Sequence, residues 1–183
     1  MIAAEKLSDW VASRHAGQLI RRTGKPYFNH LIAVAEMAKP AVAFGYEIGL
    51  CHDLLEDTNT SAEQLNEALV GFGYTLSDAN SIVYCVNELT DVFTAAAYPE
   101  LSKSERKELE AQRLIKMSPA AQTVKYCDLL YNMDWVLKFD QKHAKVYLKK
   151  KKLLLGTMTK GDQGLRQHAL KVIDSGLKII ADH

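Results

Sequence analysis

The sequence has no long uninterrupted hydrophobic run. None of its apolar stretches approaches the roughly 20 residues that a helix needs to span a bilayer. The amino-terminal segment carries Glu5 and Asp9 where a secretory signal would need a continuous apolar stretch. These absences argue against a membrane partner and predict a cytoplasmic protein.

Net charge is also nearly absent, since the 183 residues sum to a formal charge of only +1. Non-specific attraction to nucleic acid is therefore not expected, because such binding depends on an excess of basic residues. The lysine run at 149–152 is interpreted as a solvated helix face. Hydrophobic residues make up 48% and charged residues 25% of the chain, which is typical of a folded globular domain. The length predicts one domain over residues 1–183.

Cysteine is scarce, and the three cysteines have no C-x-x-C spacing. The odd number argues against a disulfide framework, and the spacing argues against a cysteine-based zinc site. We therefore expect Cys51, Cys85 and Cys127 to be small buried apolar residues in a reducing compartment.

The sequence shows few signs of β-structure and contains only four prolines. No convincing run of alternating β-branched residues interrupts the helical periodicity. These features predict an all-α bundle of about eight to ten helices. The predicted helices include one from Ile2 to about Leu19, one from His30 to about Ala38, one with Pro40 in its first turn that runs through 49–57, one that begins with a Ser61–Gln64 capping box, and one that begins at Ser118–Pro119.

One imidazole and three carboxylates lie close together in the stretch GLCHDLLEDTNT, residues 49–60. Residues three and four apart share a helix face, so a helix here would gather His52, Asp53, Glu56 and Asp57 into one sector. Gathering these groups without full solvation is costly unless a cation is present. Imidazole together with carboxylate suits Mn²⁺, Zn²⁺ or Fe²⁺ better than Ca²⁺. An exposed acidic helix end remains the alternative.

Two distant segments favour the metal interpretation. His30 follows the break in PYFNH, although a structural histidine is the alternative for this residue taken alone. Asp128 and Asn132 are four apart in KYCDLLYN, on a helix whose other positions are apolar. For Asp128 a role as metal ligand is favoured over a buried ion pair, because a carboxylate in an apolar helix needs a cationic partner.

Basic residues lie beside these acidic groups. Several carboxylates would repel a polyphosphate, so an anionic substrate needs a counter-charge. The loop RRTGK supplies Arg21, Arg22 and Lys25 just before His30, and Lys125 lies one turn before Asp128. An arginine guanidinium also stacks well on a purine. A solvated loop pair is the alternative for the two arginines.

The ordered set RRTGKPYFNH, CHDLLEDT, ELTD and VKYCDLLYN resembles the HD-domain hydrolases of the RelA/SpoT group, which include the small alarmone hydrolases. The pattern covers about residues 12–137. The resemblance implies a single HD-type metal-dependent phosphohydrolase domain over 1–183. It implies Mn²⁺, with Zn²⁺ or Fe²⁺ less favoured, held by His30, His52, Asp53 and Asp128; a catalytic pair, Glu56 and Asp57; and substrate contacts from Arg21, Arg22 and Asn132. We expect Lys25, Tyr27 and Lys125 to contact the substrate as well.

The activity implied by the resemblance is removal of the 3′-pyrophosphate from ppGpp or pppGpp, giving GDP or GTP and pyrophosphate. Three alternatives stay open: a (p)ppApp hydrolase or antitoxin, an NADPH or nucleotide phosphatase, and a non-catalytic alarmone sensor. The presence of Glu56 and Asp57 argues against the sensor, which would not need a water-activating pair.

The chain departs from the family pattern near the basic loop. GQLIRR has one residue more than the family's usual G-Q-x-R, so the arginine that contacts the base is not assigned. Leu31 stands where a proline is usual. Nothing in the sequence indicates the oligomeric state.

Overall fold

The computed structural model describes residues 2–181. Within this range the chain forms ten helices and no β-strand, apart from an isolated bridge between Leu19 and Pro26. The prediction of an all-α bundle of about eight to ten helices is confirmed. The helices are α1 (Ala3–Arg14), α2 (Phe28–Ala38), α3 (Gly45–Cys51), α4 (Leu54–Asp57), α5 (Ala62–Phe72), α6 (Leu76–Leu89), α7 (Lys103–Lys116), α8 (Pro119–Phe139), α9 (Gln141–Thr157) and α10 (Gln163–Ala181).

The helices group into two compact units. The first unit runs to Asp91 and contains α1 to α6, and the second begins at Val92 and contains α7 to α10. One functional domain over residues 1–183 stays a prediction. Within residues 2–181 no helix has the length and hydrophobicity that crossing a bilayer requires.

In the first unit, α2 and α3 pack so closely that α3 has glycine at the contact. A Cβ atom on Gly49 would lie 2.6 Å from Ala35 Cα and 2.9 Å from Ala35 N. Real Cβ atoms do not approach backbone atoms this closely, so only glycine fits at this position. The close packing places the first turn of α2, with His30, beside the end of α3, where His52 follows.

Gly49→Ala is expected to destabilise the first unit by about 1–3 kcal/mol, because the new methyl group must push α2 and α3 apart. Gly71→Ala is the matched control. Gly71 lies in α5, where a methyl group added to its Cα would meet no heavy atom within 4 Å, so alanine should stabilise it by about 0.5–1 kcal/mol. Urea unfolding followed by circular dichroism measures both changes. Equal stability of the two variants would contradict the tight helix contact.

The prediction of a continuous helix with Pro40 in its first turn, running through residues 49–57, is wrong. Pro40 lies in a turn, and α3 begins only after Phe44, whose φ is +56°. The helix is interrupted again at His52 and Asp53 before the short α4. The His52 ring explains the second interruption, because its Nδ1 lies 2.7 Å from the Gly49 carbonyl oxygen. A continuous helix would pair that carbonyl with the N–H of Asp53.

Other helix ends are set by local capping. Ser61 Oγ accepts from the N–H of Gln64, and Gln64 Oε1 accepts from the N–H of Ser61, so the predicted capping box is confirmed. The predicted start at Ser118 is also confirmed. The first helix does not reach Leu19, as the periodicity predicts, but ends at Arg14. The chain turns there through Gly17, which has φ of +83°.

In the second unit, α9 and α10 pack against α8, the longest helix of the described chain. Tyr126 of α8 is fully buried and donates through its hydroxyl to the Met158 carbonyl, at 2.7 Å. The lysine run on α9 is mostly exposed, in agreement with a solvated face. All three cysteines are buried and free, as predicted.

Candidate metal centre

Three side chains of the first unit bring their donor atoms together. The Nε2 atoms of His30 and His52 are 3.2 Å apart. Asp53 Oδ2 lies 3.0 Å from His52 Nε2 and 3.5 Å from His30 Nε2. Ligands held at about 2.0–2.2 Å from one ion are separated from one another by about 3.0–3.5 Å, so these spacings match a shared divalent cation.

The chemistry of the donor set also fits a metal. His30 and His52 are 3% and 2% exposed. The Gly49 carbonyl can only accept, so His52 Nδ1 carries a proton and donates to it, which leaves Nε2 with its lone pair toward the cluster. Two neutral imidazoles and one carboxylate form a common ligand set for a divalent transition metal. His30, His52 and Asp53 are therefore arranged as a candidate metal centre, as the sequence predicted.

The Asp53 carboxylate is held in its charged form. Burial alone would raise its pKa, but while His52 is protonated its charge and the hydrogen bonds from His30, His52 and Tyr27 outweigh burial and place the pKa well below its usual range. The neutral tautomer of His52, with its lone pair on Nε2, is the form that would bind a metal. The Tyr27 hydroxyl donates to Asp53 Oδ2 at 2.6 Å. Asp53 is thus deprotonated at neutral pH, as a carboxylate that binds a metal must be.

Glu56 and Asp57 follow the break, and both residues are exposed. Glu56 Oε2 accepts from the main-chain N–H of Asp91, at 3.3 Å. Partial desolvation and the negative charge of Asp53 raise the pKa of Asp57, although Tyr27 acts in the opposite direction. The alternative of an exposed acidic helix end describes only this pair, because His52 is buried and Asp53 is partly buried.

The basic loop is a tight hairpin closed by main-chain hydrogen bonds. The Ile20 N–H donates to the Lys25 carbonyl at 2.8 Å, and the Tyr27 N–H donates to the Gln18 carbonyl at 2.9 Å. Arg21 and Arg22 lie at its tip, and Arg22 has φ of +64°. The pairing of Gln18 with Tyr27 keeps the ends of the loop together, so the extra residue lies within the turn. Substrate contacts from Arg21, Arg22 and Lys25 stay predictions.

In the second unit, Asp128 is 5% exposed and has two close partners on its own helix. Lys125 Nζ lies 2.8 Å from Asp128 Oδ2, and Asn132 Nδ2 donates to Asp128 Oδ1 at 2.5 Å. The buried ion pair, which is the alternative to a metal-ligand role, is therefore present. Tyr147 of α9 shares this environment: burial and the negative charge of Asp128 raise the pKa of its hydroxyl, while Lys125 opposes the rise.

Four residues near the metal cluster or near Asp128 have no predicted role in the site. The sequence indicates only a structural helix histidine at His15, and it assigns nothing to Gln18, Gly49 and Tyr147. It does carry one usable signal, because His15 and Gln18 flank a glycine directly before the basic loop. A polar pair at a helix end is more often a capping feature, so this signal alone is weak.

No family model matches the chain. Curated relatives do match: the human guanosine-3′,5′-bis(diphosphate) 3′-pyrophosphohydrolase MESH1 is 33% identical over 131 residues, which are 69% of this chain and 65% of the relative. The protein of the same name from Xenopus tropicalis is 32% identical over the same number of residues, 131, with the same coverage. The chain thus spans about 65% of the length of the curated relatives it matches.

A solved structure shares the fold over nearly the whole chain. It is described as a metazoan orthologue of SpoT that hydrolyses ppGpp, and it covers 97% of both chains with a TM-score of 0.76 and 23% identity. Fold and donor cluster define an all-helical, HD-type protein with a candidate metal centre. The resemblance to the HD-domain hydrolases of the RelA/SpoT group is confirmed by the match to these curated relatives, and the solved structure shows the same fold.

Proposed function

We propose that this protein is a metal-dependent hydrolase that removes the 3′-pyrophosphate from ppGpp or pppGpp, giving GDP or GTP and pyrophosphate. The observation that carries the proposal is the cluster of His30, His52 and Asp53, which is followed in the chain by the exposed residues Glu56 and Asp57. The names of the curated relatives support the choice of substrate. We also propose that residues 1–183 act as one domain in the cytoplasm.

For the metal we propose Mn²⁺, with Asp128 as a fourth ligand. Two imidazoles and two carboxylates make a harder donor set than the histidine- and thiolate-rich sites of structural zinc. The preference for Mn²⁺ over Zn²⁺ and Fe²⁺ follows from the resemblance to the HD-domain hydrolases of the RelA/SpoT group. When bound, such an ion lowers the pKa of water and polarises a phosphoryl oxygen.

The chain's own residues would complete the reaction. Glu56 follows His52 by four residues and would take a proton from the attacking water, with Asp57 orienting that water. The charged groups of Arg21, Arg22, Lys25 and Lys125 would offset the phosphates, and Asn132 would contact the nucleoside. Tyr27 is predicted to contact the substrate as well, and in the structure its hydroxyl donates to Asp53.

The experiment that tests the proposed activity uses the purified chain with Mn²⁺ and separately offers ppGpp, ppApp and NADPH. Pyrophosphate and inorganic phosphate are measured independently, and a chelated sample is the control. We expect pyrophosphate from ppGpp and none after chelation. Pyrophosphate from ppApp alone would favour the adenosine alternative, and phosphate from NADPH would favour a phosphatase. Metal binding without turnover of any substrate would favour the sensor.

Asp128→Ala is expected to weaken Mn²⁺ binding strongly, because it removes an anionic ligand. Asp134→Ala on the same helix is the matched control: Asp134 is also paired to a lysine, Lys138, but its side chain is 62% exposed. Both variants are compared by the metal retained after gel filtration. Full Mn²⁺ occupancy in the Asp128 variant would contradict the assignment and leave the ion pair with Lys125 as its whole role.

A further inference from the structure

Three contacting side chains lie next to the metal cluster in the first unit: His15, Gln18 and Tyr27. We call this group the polar brace. His15 is 2% exposed although it follows the end of α1, and the proposed reaction makes no use of it. A buried histidine beside an amide side chain and a tyrosine ring needs an explanation, because burying polar groups is costly unless they are paired.

The Tyr27 hydroxyl contacts the Asp53 oxygen that faces the metal cluster. It donates to Asp53 Oδ2 at 2.6 Å, and Oδ2 is also the oxygen that faces the two imidazoles. A hydrogen bond from a neutral hydroxyl to a carboxylate is short and strong. The bond restricts rotation of the carboxyl group about its terminal torsion, which otherwise is broad and soft.

Two histidine rings contact the ring of Tyr27. The ring of His15 stacks on it with centroids 5.6 Å apart and an interplanar angle of 28°. The ring of His30 lies against it with centroids 5.4 Å apart. The tyrosine ring therefore contacts both a metal-cluster histidine and a histidine that has no other assigned role.

Gln18 ties this assembly to the segment that carries the acidic residues. Its Oε1 accepts from His15 Nδ1 at 2.7 Å, and its Nε2 donates to the main-chain carbonyl of Asp57 at 2.7 Å. Its own carbonyl accepts from the N–H of Tyr27. One side chain and its backbone thus connect the loop before α2 to the chain that follows the break at Asp53.

We propose that Tyr27 is a positioning residue for the metal ligand Asp53, and that His15 and Gln18 brace it. This inference rests on the proposed metal centre. The brace orders the Asp53 carboxylate before the cation binds. The conformational entropy of this side chain is therefore lost when the protein folds and not when the metal binds. A purely structural role would predict an effect on the stability of the metal-free chain and none on metal affinity.

The test compares Tyr27→Phe with wild type by titrating Mn²⁺ into the metal-free full chain. Phenylalanine keeps the ring that contacts the two histidines and removes only the hydroxyl. We expect the dissociation constant for Mn²⁺ to rise about 10–100-fold. Tyr74→Phe is the matched control, since Tyr74 also donates to a carboxylate, Glu47, at 2.9 Å within the same unit. The control should bind Mn²⁺ with wild-type affinity.

A second pair of variants tests the brace itself. Gln18→Met has a similar shape and loses both side-chain hydrogen bonds, so it should weaken Mn²⁺ binding in the wild-type background and have little further effect in Tyr27→Phe. Such non-additivity is the mark of residues that act through one another. Fully additive effects would overturn the role of Gln18 and leave that of Tyr27.

The outcomes separate this inference from the proposed function. Wild-type protein that binds no Mn²⁺ would overturn both. Wild-type protein that binds Mn²⁺, together with a Tyr27→Phe variant of equal affinity, would overturn the positioning role alone. If both the Tyr27 and the Gln18 variants lost thermal stability and kept wild-type affinity for Mn²⁺, the brace would be structural only.

Discussion

Asp53→Asn is expected to abolish Mn²⁺ binding and, with it, hydrolysis of the nucleotide. The variant keeps the shape of the side chain but removes the one negative charge within the three-residue cluster. The carboxylate is held in its charged form, since its pKa lies well below the usual range, so wild type presents the anion throughout the neutral pH range. Loss of a ligand should exceed the roughly 10–100-fold loss of affinity typical of outer partners.

Asp9→Asn is the control for this change, because Asp9 lies on α1 of the same unit, outside the cluster. Metal content after gel filtration and a Mn²⁺ titration are measured for both variants. Circular dichroism checks that the Asp53 variant remains helical. Retention of wild-type affinity by a folded Asp53→Asn protein would remove Asp53 from the ligand set, and with it the proposed centre.

The ligand residues could be predicted from the sequence because their types are unusual in their surroundings. His52 and Asp53 interrupt an apolar pattern, and such groups need a partner wherever they are buried. The way they are brought together could not be predicted. Helical spacing suggested one continuous face through Asp57, whereas the helix breaks at His52 and Asp53. The hydrogen bond from the His52 ring to the Gly49 carbonyl replaces a main-chain helical bond. The periodicity of apolar residues does not predict such a contact.

The contacts of the polar brace could not be predicted from the sequence either, because they depend on tertiary packing. Tyr27 is separated from Asp53 by 26 positions, and only the packing of α2 against α3 brings the two together. That packing depends on Gly49, which a sequence pattern alone presents as an ordinary helix glycine. Predicted features that depend on neighbours in the chain, such as the capping box at Ser61, were confirmed, while contacts that depend on tertiary packing were missed.

Glu56→Gln is expected to reduce turnover of ppGpp about 10²–10⁴-fold while Mn²⁺ affinity stays that of wild type. Glutamine has the same shape and its Oε1 still accepts from the Asp91 N–H, so the local structure should be kept. What it lacks is the ability to accept a proton from the attacking water. The loss should therefore fall on kcat, with KM little changed.

Glu67→Gln, on α5 and outside the cluster, is the control and should turn over ppGpp as wild type does. Steady-state rates and a Mn²⁺ titration on both variants separate the possible roles of Glu56. Undiminished turnover would remove it from the mechanism, whereas loss of the metal would make it a ligand. Because Asp53→Asn should lose the ion and Glu56→Gln should keep it, the two variants together distinguish holding the cation from activating the water.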